Sequence, residues 1–234
     1  TVSTPELARF YGRWNPNVTV IPNYLHWPMW TQTPVHEKSD WKRFRVGYMG
    51  NASFHQADLA QWAPSLQSWL QKHPDVEFVA AGDPRLHSIV GTPRGQRVTT
   101  AKVWFRNLDL AQITATFDVG LVPLLKNSFN EAKSCLKGME YGASGIPAIA
   151  TPTEEYQRYI EDGETGFLAS RPTEMIAALD LLYNDRGLCK EMGAAAHARA
   201  REHSLDKHIN QWEDFYRDLS DSRDPDSVRE GVAA

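Results

Sequence analysis

The sequence lacks the features that would place it in a membrane, in an oxidising compartment or on nucleic acid. It has only two cysteines among 234 residues, Cys135 and Cys189, which are too few for a disulfide framework. No apolar run approaches the roughly 20 residues of a membrane span, and no signal-like start is present. The 25 basic and 29 acidic side chains give a net charge of -4, so no global positive field favours nucleic acid. We therefore expect a cytoplasmic protein without a transmembrane segment.

Patterns of metal ligands are also scarce. Outside the C-terminal tail the chain has no Asp-x-Asp pair and no cluster of His and carboxylate residues, and Asp224 and Asp226 lie in a polar stretch where solvation is expected. We therefore expect no metal site and no cofactor. Any positive charge that a ligand needs then comes from side chains and backbone amides.

Apolar runs and amphipathic segments alternate along most of the chain. Hydrophobic residues make up 41% and charged residues 23%, as in ordinary globular domains. Helices are predicted between strands, at 58–71, 107–116 and 154–160. The predicted strands are 44–49, 76–81, 98–106, 119–123, 148–150 and 163–168. This alternation predicts a doubly wound, Rossmann-like parallel α/β sheet covered on both faces.

The two ends of the chain have a different pattern. Ser3 or Thr4 is a predicted N-cap, with Pro5 at the first helical position, for a helix within 1–14, and a short strand is predicted at 17–22. The C-terminal part reads as helices at 172–183, 186–203 and 205–219 followed by a polar tail. The resulting division is 1–22, a linker at 23–43, a domain at 44–204, a helix at 205–219 and the tail at 220–234.

The segment 129–151, FNEAKSCLKGMEYGASGIPAIAT, organises the rest of the chain. As a helix capped by Asn130, it places Lys133, Lys137 and Glu140 on one face, opposite an apolar stripe. Such a helix begins beside the end of strand 119–123, where a doubly wound sheet binds its ligand and unpaired amides, here near Ser134, attract an anion. Two lysines there indicate a diphosphate. The alternative is a solvated face with an ion pair contributing only about 0.2–0.5 kcal/mol.

Four motifs in the chain resemble those of a known family. The stretches KSCLKGMEY, GASGIPAIAT and EDGETGFL look like the nucleotide-sugar-binding, C-terminal lobe of GT-B glycosyltransferases, of group 1 and family 4-like type. GNASFHQADL, which begins at Gly50, resembles the loop after the first strand of that lobe in a bacterial and phage branch. Family members often carry two glutamates seven residues apart. Here Lys133 occupies the first position and Glu140 the second.

The resemblance implies a function and a set of site residues. It implies a retaining glycosyltransferase that takes a UDP- or GDP-sugar, with residues 1–22 as the remnant of an N-terminal acceptor lobe, 205–219 as a crossing helix and no metal. Glu140 would then accept hydrogen bonds from ribose hydroxyls, and the region of Arg106 and Asn107 would read the base. The expected catalytic residues are Lys133, Lys137 and Glu140, and the expected substrate-binding residues are Gly50, Asn51, His55, Arg106, Asn107, Ser134 and Cys135.

Two other functions remain open from the sequence. A non-catalytic module would bind a nucleotide sugar or a partner protein without transferring the sugar, and an epimerase of the same fold would use the same nucleotide site. His55 also has two interpretations, since it either points at the donor or caps a helix beginning near Asp58. The sugar, the base and the acceptor are not specified by the sequence. The acceptor lobe, missing or separate, is an expected partner.

Overall fold

Six parallel strands form one sheet in the part of the chain that the structure, a computed structural model, describes. That part is residues 1–31, 43–83, 85–101 and 107–221, with the backbone only at 101 and 107–109. The strand order is β3-β2-β1-β4-β5-β6, which confirms the predicted doubly wound fold. The strands are β1 (Arg45–Gly50), β2 (Glu77–Gly82), β3 (Arg97–Ala101), β4 (Val119–Val122), β5 (Ala148–Ala150) and β6 (Gly166–Leu168). The predicted strand 98–106 is described only as far as Ala101.

Alternate residues of each central strand enter two separate cores. In β1, Val46 and Tyr48 pack on one face of the sheet, whereas Met49 packs on the other. Phe78 and Val79 of β2 divide in the same way. Because both faces are covered, these strands read as continuous apolar runs rather than as alternating ones.

Among the described residues, four helices cover the first face: α3 (Ala52–Ala60), α4 (Ala63–Lys72), α5 (Leu86–Val90) and α10 (Pro172–Asn184). A further helix, α11 (Arg186–Glu202), contributes to both cores, with Cys189 and Met192 in the first and Ala200 in the second. The single helix predicted at 58–71 is wrong, because α3 begins at Ala52, where the Asn51 side chain accepts a hydrogen bond of 2.9 Å from the Ser53 amide. A break at Gln61 then separates α3 from α4. His55 and Asp58 therefore lie within α3, and His55 does not cap a helix.

Four helices cover the second face: α2 (Trp27–Thr31), α6 (Asn107–Thr114), α8 (Leu136–Ala143) and α9 (Glu154–Tyr159). Leu25 and Trp30 are buried in this core. Both belong to the stretch predicted as a linker, so its described residues up to Thr31 pack on the domain. Residues 32–42 lie outside the described residues.

The segment 129–151 contains two helices instead of the predicted one. A short helix, α7 (Ser128–Glu131), is followed by a turn and then by α8. Asn127 caps α7, whereas the side chain of Asn130 donates to Asp58 and to the Leu125 carbonyl, so Asn130 is not an N-cap. Lys133 and Ser134 consequently lie in the turn before α8 and not on a helical face.

The chain ends differ from the predictions in part. Thr4 caps α1 (Pro5–Tyr11) by accepting a hydrogen bond of 3.2 Å from the Leu7 amide, as predicted. The strand predicted at 17–22 is wrong, since only an isolated bridge joins Val2 and Val20. Two helices, α12 (Leu205–His208) and α13 (Asn210–Asp221), replace the one predicted at 205–219. None of the helices in the described ranges has the length and apolar character needed to cross a membrane.

Candidate functional site

The strand order reverses between the two central strands: β2 and β3 follow on one side of β1, whereas β4, β5 and β6 lie on its other side. β1 and β4 are parallel neighbours, with Val46 paired to Val119. The chain leaves β1 for α3 on one face of the sheet and leaves β4 for α7 and α8 towards the other. Loops that diverge at the carboxyl ends of adjacent strands leave a crevice, which is where open α/β sheets bind ligands. The two segments between which the crevice is predicted, the Gly50 loop and the start of α8, follow β1 and β4 in the chain.

Glycines keep the loop after β1 tight. Gly50 pairs in register with Gly82, whose φ is +104°, and a Cβ added to Gly82 would lie 2.4 Å from the Gly50 carbonyl oxygen. A Cβ added to Gly50 would lie 3.2 Å from the Tyr48 ring and 3.4 Å from the His55 ring. The two rings thus leave little room for a side chain at position 50, while Asn51 is exposed and uses its side chain to cap α3.

A buried carboxylate joins this loop region to the segment after β4. Asp58 is 4% exposed, and its Oδ1 accepts hydrogen bonds from the Leu125 amide (2.9 Å) and from Asn130 Nδ2 (2.7 Å). Its Oδ2 lies 3.2 Å from His55 Nδ1 and 3.6 Å from Lys133 Nζ. Burial alone would raise the pKa of Asp58, but these four groups together lower it to about 2. Asp58 is therefore a carboxylate at neutral pH.

Lys133 has an ammonium group with unused hydrogen-bonding capacity. Its Nζ is buried and makes no hydrogen bond to any of the described residues. The nitrogen lies 4.7 Å from the centre of the Phe129 ring, within the range of a cation–π contact, and is attracted by Asp58. Its three N–H donors therefore have no hydrogen-bond acceptor among the described residues.

Lys137 and Glu140 are held in surroundings that disfavour their charges. Lys137 Nζ lies 4.7 Å from the centre of the Tyr48 ring, and burial lowers the pKa of Lys137 to about 8. Burial raises the pKa of Glu140 to about 7, although the charge of Lys137 opposes that rise. No salt bridge within 4.0 Å involves either side chain among the described residues, although each charge favours the ionised form of the other.

The start of α8 offers backbone amides rather than side chains. Cys135 is at the N-cap position and provides no side-chain hydrogen bond, so the first amides of the helix have no capping side chain. Its thiol is buried, which raises the pKa of Cys135 to about 12. Ser134 Oγ accepts a hydrogen bond of 2.8 Å from Asn23 Nδ2. Main-chain groups of Ser134 and Cys135, rather than their side chains, are therefore what this turn offers to a ligand.

The structure brings most of the predicted site residues to one edge of the sheet. Gly50 lies next to Tyr48 and His55; Tyr48 contacts Lys137, and His55 reaches Lys133 through Asp58. Arg106 lies outside the described residues, and Asn107 is described only as the first backbone residue of α6. In the described ranges no three His, Cys, Asp or Glu side chains are grouped as a metal site.

Sequence reasoning gave no site role to Tyr48, Asp58 or Asn130. Asp58 appeared only within a motif, and Asn130 only as a helix cap. The available signal was a carboxylate three residues after a histidine on the apolar side of an amphipathic segment, beside Leu59. A charge in such a position is seldom buried unless it is paired.

The chain belongs to the family described as Glycosyl transferases group 1, whose profile matches residues 43–185, more than half of its length. A D-inositol 3-phosphate glycosyltransferase of Paenarthrobacter aurescens (strain TC1) is 34% identical over 96 residues, which are 39% of this chain and 22% of that protein.

Solved structures of glycosyltransferases share the fold. Sucrose-phosphate synthase from Thermosynechococcus elongatus superposes with a TM-score of 0.66 and 17% identity, covering 94% of this chain and 58% of the other. HepE of Anabaena in complex with UDP and glucose superposes with a TM-score of 0.63 and 18% identity, covering 86% of this chain and 56% of HepE. At these identities the likeness concerns the fold alone. The chain spans 22% to 58% of the length of these three relatives.

Proposed function

We propose that this crevice binds the diphosphate of a nucleoside-diphosphate sugar, the donor substrate of a glycosyl transfer. The observation that carries the proposal is the pair of lysines at the crevice. The Nζ of Lys133 is buried without a hydrogen-bond partner among the described residues, and burial depresses the pKa of Lys137. Desolvated cations of this kind are stabilised by a nearby anion. The first amides of α8 add N–H donors, whose partial positive charge also attracts an anion.

The same groups suit the chemistry of the donor. When the bond from the anomeric carbon to the diphosphate oxygen breaks, the electron pair remains on that oxygen and negative charge grows there. Fixed positive groups stabilise such a charge. The two lysines, Lys133 and Lys137, and the α8 amides would provide this stabilisation without a metal ion. Retention of configuration, which the family resemblance implies, is part of the proposal and would be read from the anomeric signal of the product by NMR.

Glu140 is assigned to the ribose. It lies on α8 beyond Lys137, and its carboxylate can accept hydrogen bonds from two vicinal hydroxyls. Gly50, Asn51 and His55 would line the opposite side of the crevice, Ser134 and Cys135 would contribute main-chain groups, and Arg106 and Asn107 would face the base. UDP is the first nucleotide to test, since UDP is bound in the structures of HepE of Anabaena and of the pneumococcal O-GlcNAc transferase GtfA.

Isothermal titration calorimetry of UDP, GDP and ADP against wild type and Lys137→Met tests the proposal. Methionine retains an apolar stem next to Tyr48, so only the charge is lost. The binding free energy should weaken by about 1.5–3 kcal/mol, the range for a hydrogen bond to a charged group. Lys190→Met, at an exposed lysine of α11, is the matched control and should bind like wild type. Equal affinity of wild type and Lys137→Met for all three nucleotides would reject this site.

A further inference from the structure

Asp58 connects the two sides of the crevice. It belongs to α3, whereas Leu125, Asn130 and Lys133 all belong to the segment that follows β4. Oδ1 accepts the two hydrogen bonds from Leu125 and Asn130, and Oδ2 faces Lys133 and His55. The two oxygens therefore have separate partners. Oδ1 binds the segment after β4, whereas Oδ2 faces the Lys133 ammonium group.

The turn that carries Lys133 depends on Asn130. Asn130 Nδ2 also donates to the Leu125 carbonyl at 2.8 Å, and its backbone amide donates to Asn127 Oδ1 at 2.8 Å. The Lys133 amide in turn donates to the Asn130 carbonyl at 3.2 Å. Because Asn130 is bound to Asp58, the backbone position of Lys133 is fixed through the same carboxylate.

The contact between Asp58 and Lys133 is incomplete as an ion pair. The distance of 3.6 Å from Nζ to Oδ2 is too long for a hydrogen bond, so the carboxylate attracts the ammonium group without using its N–H donors. A buried ammonium group with unused donors is unfavourable until another acceptor arrives. The arrangement leaves those donors for a ligand.

We propose that Asp58 is a positioning residue, which fixes the segment 125–133 and orients the Lys133 ammonium group towards the ligand diphosphate. The inference rests on the proposed function, in which Lys133 contacts that diphosphate. Asp58 itself is buried and both of its oxygens have protein partners, so it acts through Lys133 and not on the ligand.

A double-mutant cycle with UDP separates this role from a structural one. Asp58→Asn keeps an oxygen for Leu125 and Asn130 but removes the charge that faces Lys133. We expect it to weaken UDP binding by roughly three- to tenfold in the wild-type background. In a Lys133→Met background the same substitution should have almost no effect, because the cation through which it acts is gone. Asp218→Asn, at an exposed aspartate of α13, serves as the control and should bind like wild type.

The outcomes of the cycle are distinguishable. If Asp58→Asn is neutral, or weakens binding equally in both backgrounds, the positioning role is overturned while the proposed function stands. If Lys133→Met alone has no effect but Lys137→Met weakens binding, the positioning role is likewise overturned. The proposed function then stands, with Lys137 as the lysine that contacts the diphosphate. If neither lysine variant affects UDP affinity, the proposed function fails as well.

A second measurement keeps the inference testable if Asp58→Asn does not fold. Carbon-13 NMR of the Asp58 carboxyl group, recorded in wild type and in Lys133→Met, reports whether the ammonium group acts on that carboxylate. Loss of the lysine should raise the pKa of Asp58, because one of the charges that favour its ionised form has been removed. An unchanged pKa of Asp58 would overturn the coupling.

Discussion

Lys137 combines a positive charge with surroundings that do not favour it. Burial lowers its pKa to about 8, while Glu140 and Asp58 pull in the opposite direction and Lys133 adds to the depression. A bound diphosphate would favour the charged form and raise the pKa of Lys137 again. UDP binding at about pH 8.5 should therefore be accompanied by uptake of a proton.

Calorimetry in two buffers with different ionisation enthalpies measures that uptake. The apparent binding enthalpy of wild type should differ between the buffers, whereas the enthalpy of Lys137→Met should not. Buffer-independent enthalpies for wild type would contradict a role of Lys137 at the diphosphate.

Glu140 gives a prediction about stability. Its pKa is about 7 in the folded protein, raised by burial from the ordinary value of 4.5. Between these two values the folded state holds a proton that the unfolded state has released, so stability contributed by Glu140 falls as pH rises from about 4.5 to 7. The difference in unfolding free energy between wild type and Glu140→Gln, measured in urea across that range, should move against wild type. A difference independent of pH would show that the Glu140 carboxyl is not desolvated.

The site residues differ in how far the sequence alone could identify them. Lys133, Lys137 and Glu140 share one short segment, and their types and spacing drew attention to it. Three of the four partners of Asp58, namely Leu125, Asn130 and Lys133, lie in a separate part of the chain. No local pattern reports such a contact, because it exists only after the sheet brings α3 beside the end of β4.

The same limit applies to helices. The sequence predicted one helix capped by Asn130, yet the side chain of Asn130 donates to Asp58 and to the Leu125 carbonyl, and a turn at Lys133 follows. Strands β1, β2 and β4 were predicted to within one residue, because their apolar runs end at glycine or proline. Apolar strands are set by local sequence, whereas the break between α7 and α8 depends on the long-range hydrogen bond from Asn130 to Asp58.

Helix α11 packs closely against the end of α8. A Cβ on Gly193 of α11 would lie 2.3 Å from the backbone oxygen of Gly145, just after α8. Because this oxygen belongs to the backbone, it cannot move away as the end of a flexible side chain could. Gly193→Ala should therefore lower the unfolding free energy by about 1–3 kcal/mol, as expected for overpacking. Urea denaturation measures the change.

Gly187→Ala is the matched control on the same helix. A Cβ there would meet only Asp185 Oδ1, at 3.2 Å, and alanine favours the helix over glycine. Its unfolding free energy should change by less than about 1 kcal/mol. If Gly193→Ala is as well tolerated as this control, α8 and α11 are not packed as closely as the structure shows.

The net charge of the chain is opposite in sign to the charge of the candidate site. The net charge of -4 repels an anionic nucleotide, whereas two lysines and the start of α8 attract it locally. Binding that depends on this local attraction should weaken as ionic strength rises, except where the contact is desolvated. The phosphates, rather than the base, should supply most of the affinity.

Thermal unfolding with UDP, with uridine and without ligand tests that expectation. A ligand at about 100 times its dissociation constant adds about 2.7 kcal/mol to the unfolding free energy, and each kcal/mol raises the melting temperature of a chain of this size by about 2–4 °C. UDP should therefore raise the melting temperature by several degrees, while uridine at the same concentration should have little effect because it lacks the phosphates. The variant Lys133→Met/Lys137→Met should lose most of the shift, and Lys190→Met should keep it. A shift with uridine equal to that with UDP, or a full shift in the double variant, would place the nucleotide elsewhere on the molecule.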